Sequence, residues 1–284
     1  MVDALFGAPR LAQVYDLLDP DRRDLDAYLA MAEEFGASSV LDIGCGTGTF
    51  ACLLAQRGTA VVGVDPAEAS LAVARLKPGA GAVRWVHGEA RAAPGLQVDL
   101  VTMTGNVAQV FVDDGQWQAT LASARSALRP GGRLVFEARN PSRRAWQSWD
   151  RQGTWRRAQV PGAGAVESWV ELTRVALPLV SFRTTFVFGA DGAVLTSHST
   201  LRFRDRAELT ASLGEAGFQV DEVRDAPDRP GLEMVFVATR PHAAVRPGKT
   251  LSTAPLPPLR WRRPRRWGPK PRSSGTRSPG WAGQ

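Results

Sequence analysis

Short apolar runs, separated by glycine turns and amphipathic stretches, set the rhythm of the first half of the chain. Val40–Ile43, Val61–Asp65, Val83–Ala90, Val98–Met103 and Arg133–Ala138 each hold a run of mainly β-branched or apolar residues, the pattern of strands buried on both faces. Between them, Phe50, Leu53 and Leu54 recur at helical spacing over 47–57, with Gly58 as a stop. Trp117, Leu121, Ala124 and Leu128 form a second apolar stripe, ended by Arg129-Pro130-Gly131-Gly132. Strand alternating with helix predicts an α/β fold with a parallel sheet covered on both faces. Further on, 205–213 reads as a helix with Leu209 and Leu213 on one face, and Phe218–Val223 and Met234–Thr239 read as a terminal pair of strands.

Residues 141–200 break this rhythm. Val166–Val175, Ser181–Phe188 and Ala193–Phe203 alternate or carry β-branched and aromatic residues, and Asp191-Gly192 is a hairpin signal between the last two. The segment predicts a small antiparallel β cap. Trp146, Trp149, Trp155 and Trp169 fall within it, either as walls of a pocket or simply as packing between cap and sheet.

The most specific chemistry sits where the first strand turns into the first long helix. Gly44, Gly46 and Gly48 leave room for a sharp turn and close approach of a ligand to the backbone, ahead of a helix N-terminus with free N–H groups. Thr49 breaks the dinucleotide fingerprint at its third glycine, and Asp42 stands two residues before the loop. Asp65 closes the second strand, where a carboxylate can accept ribose hydroxyls and can also start the helix after Pro66. Gly88-Glu89-Ala90 closes the third strand, and Thr104-Gly105-Asn106 follows the fourth.

This order of motifs resembles the class I S-adenosylmethionine-dependent methyltransferases over roughly residues 10–140, with a C-terminal return at Glu215–Val220. The resemblance implies an α/β, Rossmann-like, seven-stranded and mostly parallel sheet whose last strand is antiparallel, plus the small antiparallel β cap. It implies a core from 1–140 and 201–239, a substrate cap at 141–200 and a separate tail at 240–284. S-adenosyl-L-methionine is the implied cofactor, with Tyr15, Asp42, Gly44, Cys45, Gly46, Gly48, Asp65, Pro66, Glu89, Ala90, Thr104 and Asn106 as the candidate residues around it. Asp42 and the glycine loop would hold the methionine end, Asp65 the ribose, Glu89 the adenine amino group, and 104–106 the floor beneath the methyl. Tyr15 resembles an N-terminal tyrosine that covers the cofactor in relatives. His198, as a base, and Asn106, as an orienting amide, are the candidate catalytic side chains.

Charge divides the chain in two. The formal net charge is +7, yet 240–284 holds eleven of the 35 Lys and Arg and no acid, so 1–239 carries 24 basic against 28 acidic residues, a balance of −4. The basic tail also holds nine of the twenty prolines and the run Arg260-Trp261-Arg262-Arg263-Pro264-Arg265-Arg266-Trp267, a composition expected to stay disordered. It is either a solvated extension or a site for an anionic partner such as nucleic acid or a membrane surface. Two cysteines, no membrane-length apolar run and no signal peptide point to the cytoplasm, and no His/Cys cluster has metal-ligand spacing. The loop after the fourth strand lacks the Asp/Asn-Pro-Pro-aromatic signature of DNA amino-methylating enzymes, and no Pro-Cys dipeptide marks a cytosine C5 enzyme. The leading expectation is methyl transfer to oxygen or nitrogen, and less directly to carbon, of a small-molecule acceptor. An RNA or protein methyltransferase guided by the tail, or a non-catalytic binding protein, are the alternatives.

Overall fold

The computed structural model describes residues 2–242. Expectations for the tail beyond His242 lie outside these residues. The chain runs α1 (Ala4–Gly7), α2 (Pro9–Leu18), α3 (Asp26–Glu34), β1 (Ser39–Ile43), α4 (Thr49–Gln56), β2 (Ala60–Asp65), α5 (Glu68–Ala74), β3 (Val83–His87), β4 (Val98–Met103), α6 (Asp114–Ala127) and β5 (Leu128–Arg139). It continues through α7 (Arg151–Thr154), β6 (Arg156–Val160), β7 (Gly164–Ala176), β8 (Leu179–Phe188), β9 (Val194–Arg202), α8 (Arg206–Glu215), β10 (Gln219–Asp225) and β11 (Glu233–Thr239).

The main sheet has seven strands in the order β10-β11-β5-β4-β1-β2-β3. β1 to β5 are mutually parallel neighbours, and β11 inserts antiparallel to both β5 and β10, as the resemblance implied. One face packs Leu41, Val101, Leu134 and Phe136 against Trp117 and Leu121 of α6 and Leu209 and Leu213 of α8. The other packs Val40, Val61, Leu100 and Val135 against Tyr28 and Leu29 of α3 and Phe50 and Leu54 of α4. Alternation along each strand therefore feeds two cores, which is why the strands read as continuous apolar runs. Trp117 anchors the first core: its ring meets Phe136 edge-on at 5.5 Å, and its Nε1–H donates to Ser212 Oγ at 2.9 Å.

The Arg129–Gly132 stretch does not precede β5 but lies within it. The β4–β5 register shifts between Val98 and Leu100, and Gly131, at φ +83°, donates its N–H to Arg240 O. That irregularity lets a Pro-Gly-Gly sequence stay in a strand whose neighbour bulges to match.

The second sheet is antiparallel, in the order β6-β7-β8-β9. Its inner face carries Val166, Thr184, Phe186, Phe188 and Ser197 and packs Leu11 and Val14 of α2 at one end. Ser197 Oγ accepts the N–H of Leu5, which ties α1 to the same face. At its other end, Trp146 meets Phe203 at 4.6 Å and Trp149 meets Phe182 at 4.9 Å. Trp169 and Trp155 belong to a different environment. Trp169 is capped by the Arg151 guanidinium at 4.2 Å and donates to Glu171, whereas Trp155 is 46% exposed.

Candidate functional site

A parallel sheet delivers the carboxyl ends of its strands to one edge, and here the register aligns them: Ile43 sits opposite Val64, Asp65 opposite His87, Asp42 opposite Thr102 and Met103 opposite Phe136. The loops leaving those strands are then stitched together by backbone bonds. The Gly44 and Cys45 N–H groups donate to Val64 O, and Gly88 N–H donates to Asp65 O at 2.9 Å. Asp65 joins the first two loops directly, its Oδ2 accepting from Gly46 N–H at 2.8 Å and its Oδ1 from Ala67 N–H at 2.7 Å.

The glycines of the loop do different work. Gly46 has φ +53° and nothing within 4 Å of the place a Cβ would occupy, so its bare backbone faces open space. Gly48, at φ +76°, and Gly63 are close-approach positions: a Cβ on either would lie within 3 Å of the Trp85 indole. Trp85 is thereby laid flat beneath the start of α4, with its Nε1–H donating to Ala80 O at 3.1 Å. The sequence marks Gly48 through the motif but gives no hint of Gly63, because its constraint comes from the neighbouring strand, where Trp85 is its register partner.

Asp42 is 1% exposed. Its Oδ1 accepts from Thr102 Oγ1 at 2.8 Å, while Oδ2 is buried without a partner. Burial, partly offset by that hydroxyl and reinforced by the charge of Asp65, pushes its carboxyl up to about 7. Burial likewise raises Asp65, against the two backbone bonds. The Cys45 thiol is raised for the same reason, with Asp42 and Asp65 adding to it, so it is no nucleophile. Two carboxyl groups thus sit close together at the tips of β1 and β2, and among the described residues neither pairs with a Lys or Arg.

Helix α2 lies across this edge. Asp16 accepts from Thr47 Oγ1 at 2.8 Å and pairs with Lys77 Nζ at 2.6 Å, pinning α2 to the glycine loop. The next residue, Tyr15, is 37% exposed and packs against Phe6 at 5.7 Å. The Pro66 carbonyl accepts from the His87 ring nitrogen Nε2 at 3.0 Å. Ala90 is buried, whereas Glu89 is exposed and pairs with Arg91 at 3.1 Å. Thr104 is half-buried, and Asn106, at φ +62°, is buried with its Nδ2 donating to Glu233 at 3.0 Å.

The structure brings the residues from Asp42 through Gly48 together with Asp65, Pro66 and the 88–90 turn. It does not bring His198 to them. His198 lies on the exposed face of β9, opposite Arg183 and away from the inner face that holds Ser197 and Ser199. Asn106 turns toward a second polar cluster at the tips of β5 and β11. There Glu137, 1% exposed, accepts from Asn106 N–H at 3.0 Å and from the Tyr28 hydroxyl, and Glu233 pairs with Arg229 at 2.9 Å. Burial and the charge of Glu233 push Glu137 up to about 7.

Sequence reasoning missed this cluster, and with it Arg139 at the end of β5. The one visible signal was Glu137 itself, a carboxylate in an otherwise apolar strand. Among the described residues no group of three or more His, Cys, Asp or Glu side chains could hold a metal ion, and no helix is long and apolar enough to cross a membrane.

Residues 40–132 match a family model described as a methyltransferase domain. The chain is 36% identical over 124 residues to a ubiquinone biosynthesis O-methyltransferase of Roseobacter denitrificans, covering 42% of this chain and 48% of that one. It is 26% identical over 211 residues to a malonyl-[acyl-carrier protein] O-methyltransferase of Serratia marcescens, covering 73% and 75%. Over the ubiquinone-type relatives, the chain spans about half the length of the proteins it matches. In fold it is similar to DesVI of Streptomyces venezuelae, at a TM-score of 0.66 and 23% identity over 81% of this chain and 98% of that one. An S-adenosylmethionine-dependent methyltransferase of Clostridium acetobutylicum gives a TM-score of 0.66 at 16% identity, over 82% and 98%. Residues 40–132 thus match a methyltransferase domain, and the chain has the fold of the S-adenosylmethionine-dependent methyltransferases it is similar to.

Proposed function

We propose that this chain transfers the methyl group of S-adenosylmethionine to an oxygen or nitrogen atom of a small molecule. The observation that carries the reading is the unpartnered, buried Oδ2 of Asp42 beside Asp65, at the open backbone of Gly46. A buried acceptor left without a partner costs roughly 1–3 kcal/mol, more when charged, so this edge of the sheet suits a ligand that brings donors and positive charge. The methionine ammonium and the sulfonium of the cofactor supply both.

The residues around this edge fit the rest of the cofactor. Asp65 keeps lone pairs for ribose hydroxyls beside the two backbone bonds it already accepts. The exposed Glu89 and the buried Ala90 stand at the next strand tip, in the position suggested for the adenine end. Tyr15, on the helix pinned by Asp16, stands over the loop as a cover. Thr104 and Asn106 form the floor, with the Asn106 side chain anchored to Glu233.

When bound, the cofactor supplies an electrophilic methyl group on a positively charged sulfur. The protein's part is alignment and exclusion of water: charge is dispersed as the methyl moves, and holding the acceptor in line accounts for up to roughly 7–11 kcal/mol of barrier lowering. A base is needed only for a protonated acceptor, and the exposed His198 is poorly situated to act as one. The relatives' names support oxygen as the receiving atom. A structural neighbour described as an amino pentose methyltransferase of Micromonospora echinaspora, at 23% identity, keeps nitrogen in the reading.

The direct test is calorimetric titration of the purified chain with S-adenosylmethionine and S-adenosylhomocysteine, followed by transfer of labelled methyl to a panel of small phenols, carboxylic acids and amines. Binding with transfer to at least one acceptor is the expected outcome. Absence of binding by either compound contradicts the reading.

A further inference from the structure

Arg139 stands at the strand tips outside the contacts proposed for the cofactor. It ends β5, two residues beyond Glu137, and beside it stand Trp149, Gln109 and Tyr15. Its side chain has a single hydrogen-bond partner among the described residues, Gln109 Oε1, accepting from Nη1 at 3.0 Å. Gln109 is itself buried, 1% exposed, and sits in the turn after the 104–106 loop, so it fixes the guanidinium relative to the floor of the site.

The contrast with the other inward-facing arginines is informative. Arg204, 2% exposed, has Asp114 at 3.2 Å and Glu208 at 3.5 Å. Arg229 has Asp228 at 2.8 Å and Glu233 at 2.9 Å. Arg139 has no carboxylate within 4 Å among the described residues, although burial lowers its pKa and Glu233 and Glu137 act on it from farther away. Nor are its free N–H groups sealed in the interior, since none of its nitrogens is among the buried atoms without partners. A half-buried guanidinium that keeps its donors free, with an indole ring 5.5 Å from its carbon, is a receptor for a planar anion.

We propose that Arg139 binds a carboxylate of the methyl acceptor, with Trp149 and Phe182 walling the apolar body attached to that carboxylate. This deepens the function proposed above, and it rests on that reading for the position of the methyl donor. Phe182 lies 4.9 Å from Trp149 on the inner face of the cap, two residues from the buried Thr184, so cap and core both contribute to the acceptor site. A monoanion is favoured over a phosphate dianion by the neighbours: Glu137 and Glu233 already offset Arg229 and Arg139, and a second negative charge would meet them unscreened. The reacting atom is either the carboxylate oxygen itself or a nucleophile elsewhere on the same molecule. In the first case the carboxylate oxygen forms the new O–CH3 bond as the S–CH3 bond breaks, its electron pair stays on sulfur, and no proton moves.

The test uses the full chain with saturating S-adenosylhomocysteine and three probes of one shape: benzoate, benzamide and phenyl phosphate, each titrated by ligand-observed NMR. Benzoate is expected to bind at least about tenfold more tightly than benzamide, and more tightly than phenyl phosphate. Arg139→Gln should abolish the preference for benzoate, and Arg139→Lys should retain only part of it, because the ammonium keeps the charge but loses the fork. S-adenosylhomocysteine affinity should stay within about twofold in both variants, which also reports that they fold. Equal binding of benzoate and benzamide by the unaltered chain, tighter binding of phenyl phosphate, or a preference that survives Arg139→Gln would each overturn the proposal. The benzoate-to-benzamide ratio is read on the unaltered chain, so it decides the matter even if a variant misfolds. Failure of the chain to bind S-adenosylhomocysteine at all would instead strike the function proposed above, and the ratio would then be read on the ligand-free protein.

Discussion

Two pairs of buried carboxylates stand along one edge of the main sheet, and they are neutralised in different ways. At the tips of β5 and β11, Glu137 and Glu233 are supplied from within the protein: a tyrosine hydroxyl, a backbone N–H, the Asn106 amide and the Arg229 guanidinium. At the tips of β1 and β2, Asp42 and Asp65 have a threonine hydroxyl and two backbone N–H groups and, among the described residues, no Lys or Arg partner and one oxygen with nothing. The first pair has its countercharge once the chain has folded, although Glu233 Oε2, like Asp42 Oδ2, is buried without a partner. The second has no guanidinium or ammonium partner among the described residues, and the proposed cofactor site rests on that difference in countercharge.

Breaking the first pair should cost the most stability. Glu137→Leu leaves the Tyr28 hydroxyl and the Asn106 N–H without their acceptor, and urea unfolding should show a loss of about 2–6 kcal/mol, from roughly 1–3 kcal/mol for each stranded donor. Breaking the second pair should act on the ligand instead. Asp65→Ala removes an anchor of the glycine loop, and Gly46→Arg puts a long side chain at φ +53° into the open space. Each should weaken S-adenosylmethionine binding at least about a hundredfold by calorimetry, about 2.7 kcal/mol at 1.36 per decade. If Glu137→Leu weakened binding as strongly in protein shown to be folded, the division between the pairs would fail.

A smaller effect concerns protons. Asp42 is an acid whose folded pKa, about 7, lies above its ordinary 3.8, so the folded ligand-free chain holds this proton more tightly than the unfolded chain. Its contribution to stability is therefore present at low pH and lost as pH rises through the window from 3.8 to about 7, and Glu137 adds the same sign from 4.5 to about 7. A cationic ligand reverses the preference at Asp42. S-adenosylmethionine affinity should rise about tenfold between pH 6 and pH 8, with proton release visible as a dependence of the binding enthalpy on buffer, for a group that starts at about 7. Asp42→Asn should flatten that profile. Smallest of all is His198→Ala: on the exposed face of β9 it should change stability by less than about 0.5 kcal/mol and leave cofactor affinity where it was.

The same contrast explains what the amino-acid sequence disclosed. The strands, the α4 and α6 stripes and the glycine turn were legible because each is governed by local rules: apolar runs for doubly covered strands, glycines where the backbone turns, acids at strand ends. Asp42 and Gly46 could be named because their constraint is written within a few residues. Glu137, Glu233, Gln109 and Arg139 could not, since their meaning comes from contacts spanning 30 to 127 positions, such as Asn106 to Glu233. Trp85 and Gly63 became related only through the register of β2 and β3. The four cap tryptophans looked alike in sequence, yet Trp146 and Trp149 face the core while Trp155 and Trp169 decorate other surfaces. Only Trp169 lies on a cap strand; the other three precede β6, where no strand alternation announces their direction.

The central claim is that separate strand tips hold a single ligand, and hydrogen–deuterium exchange with and without S-adenosylhomocysteine tests it most directly. The account predicts slowed exchange, in one saturable transition, for amides of residues 44–48, 65–67, 88–90 and 104–106 together, with the outer face of the cap unchanged. Protection confined to one of these segments, or centred elsewhere on the chain, would contradict it.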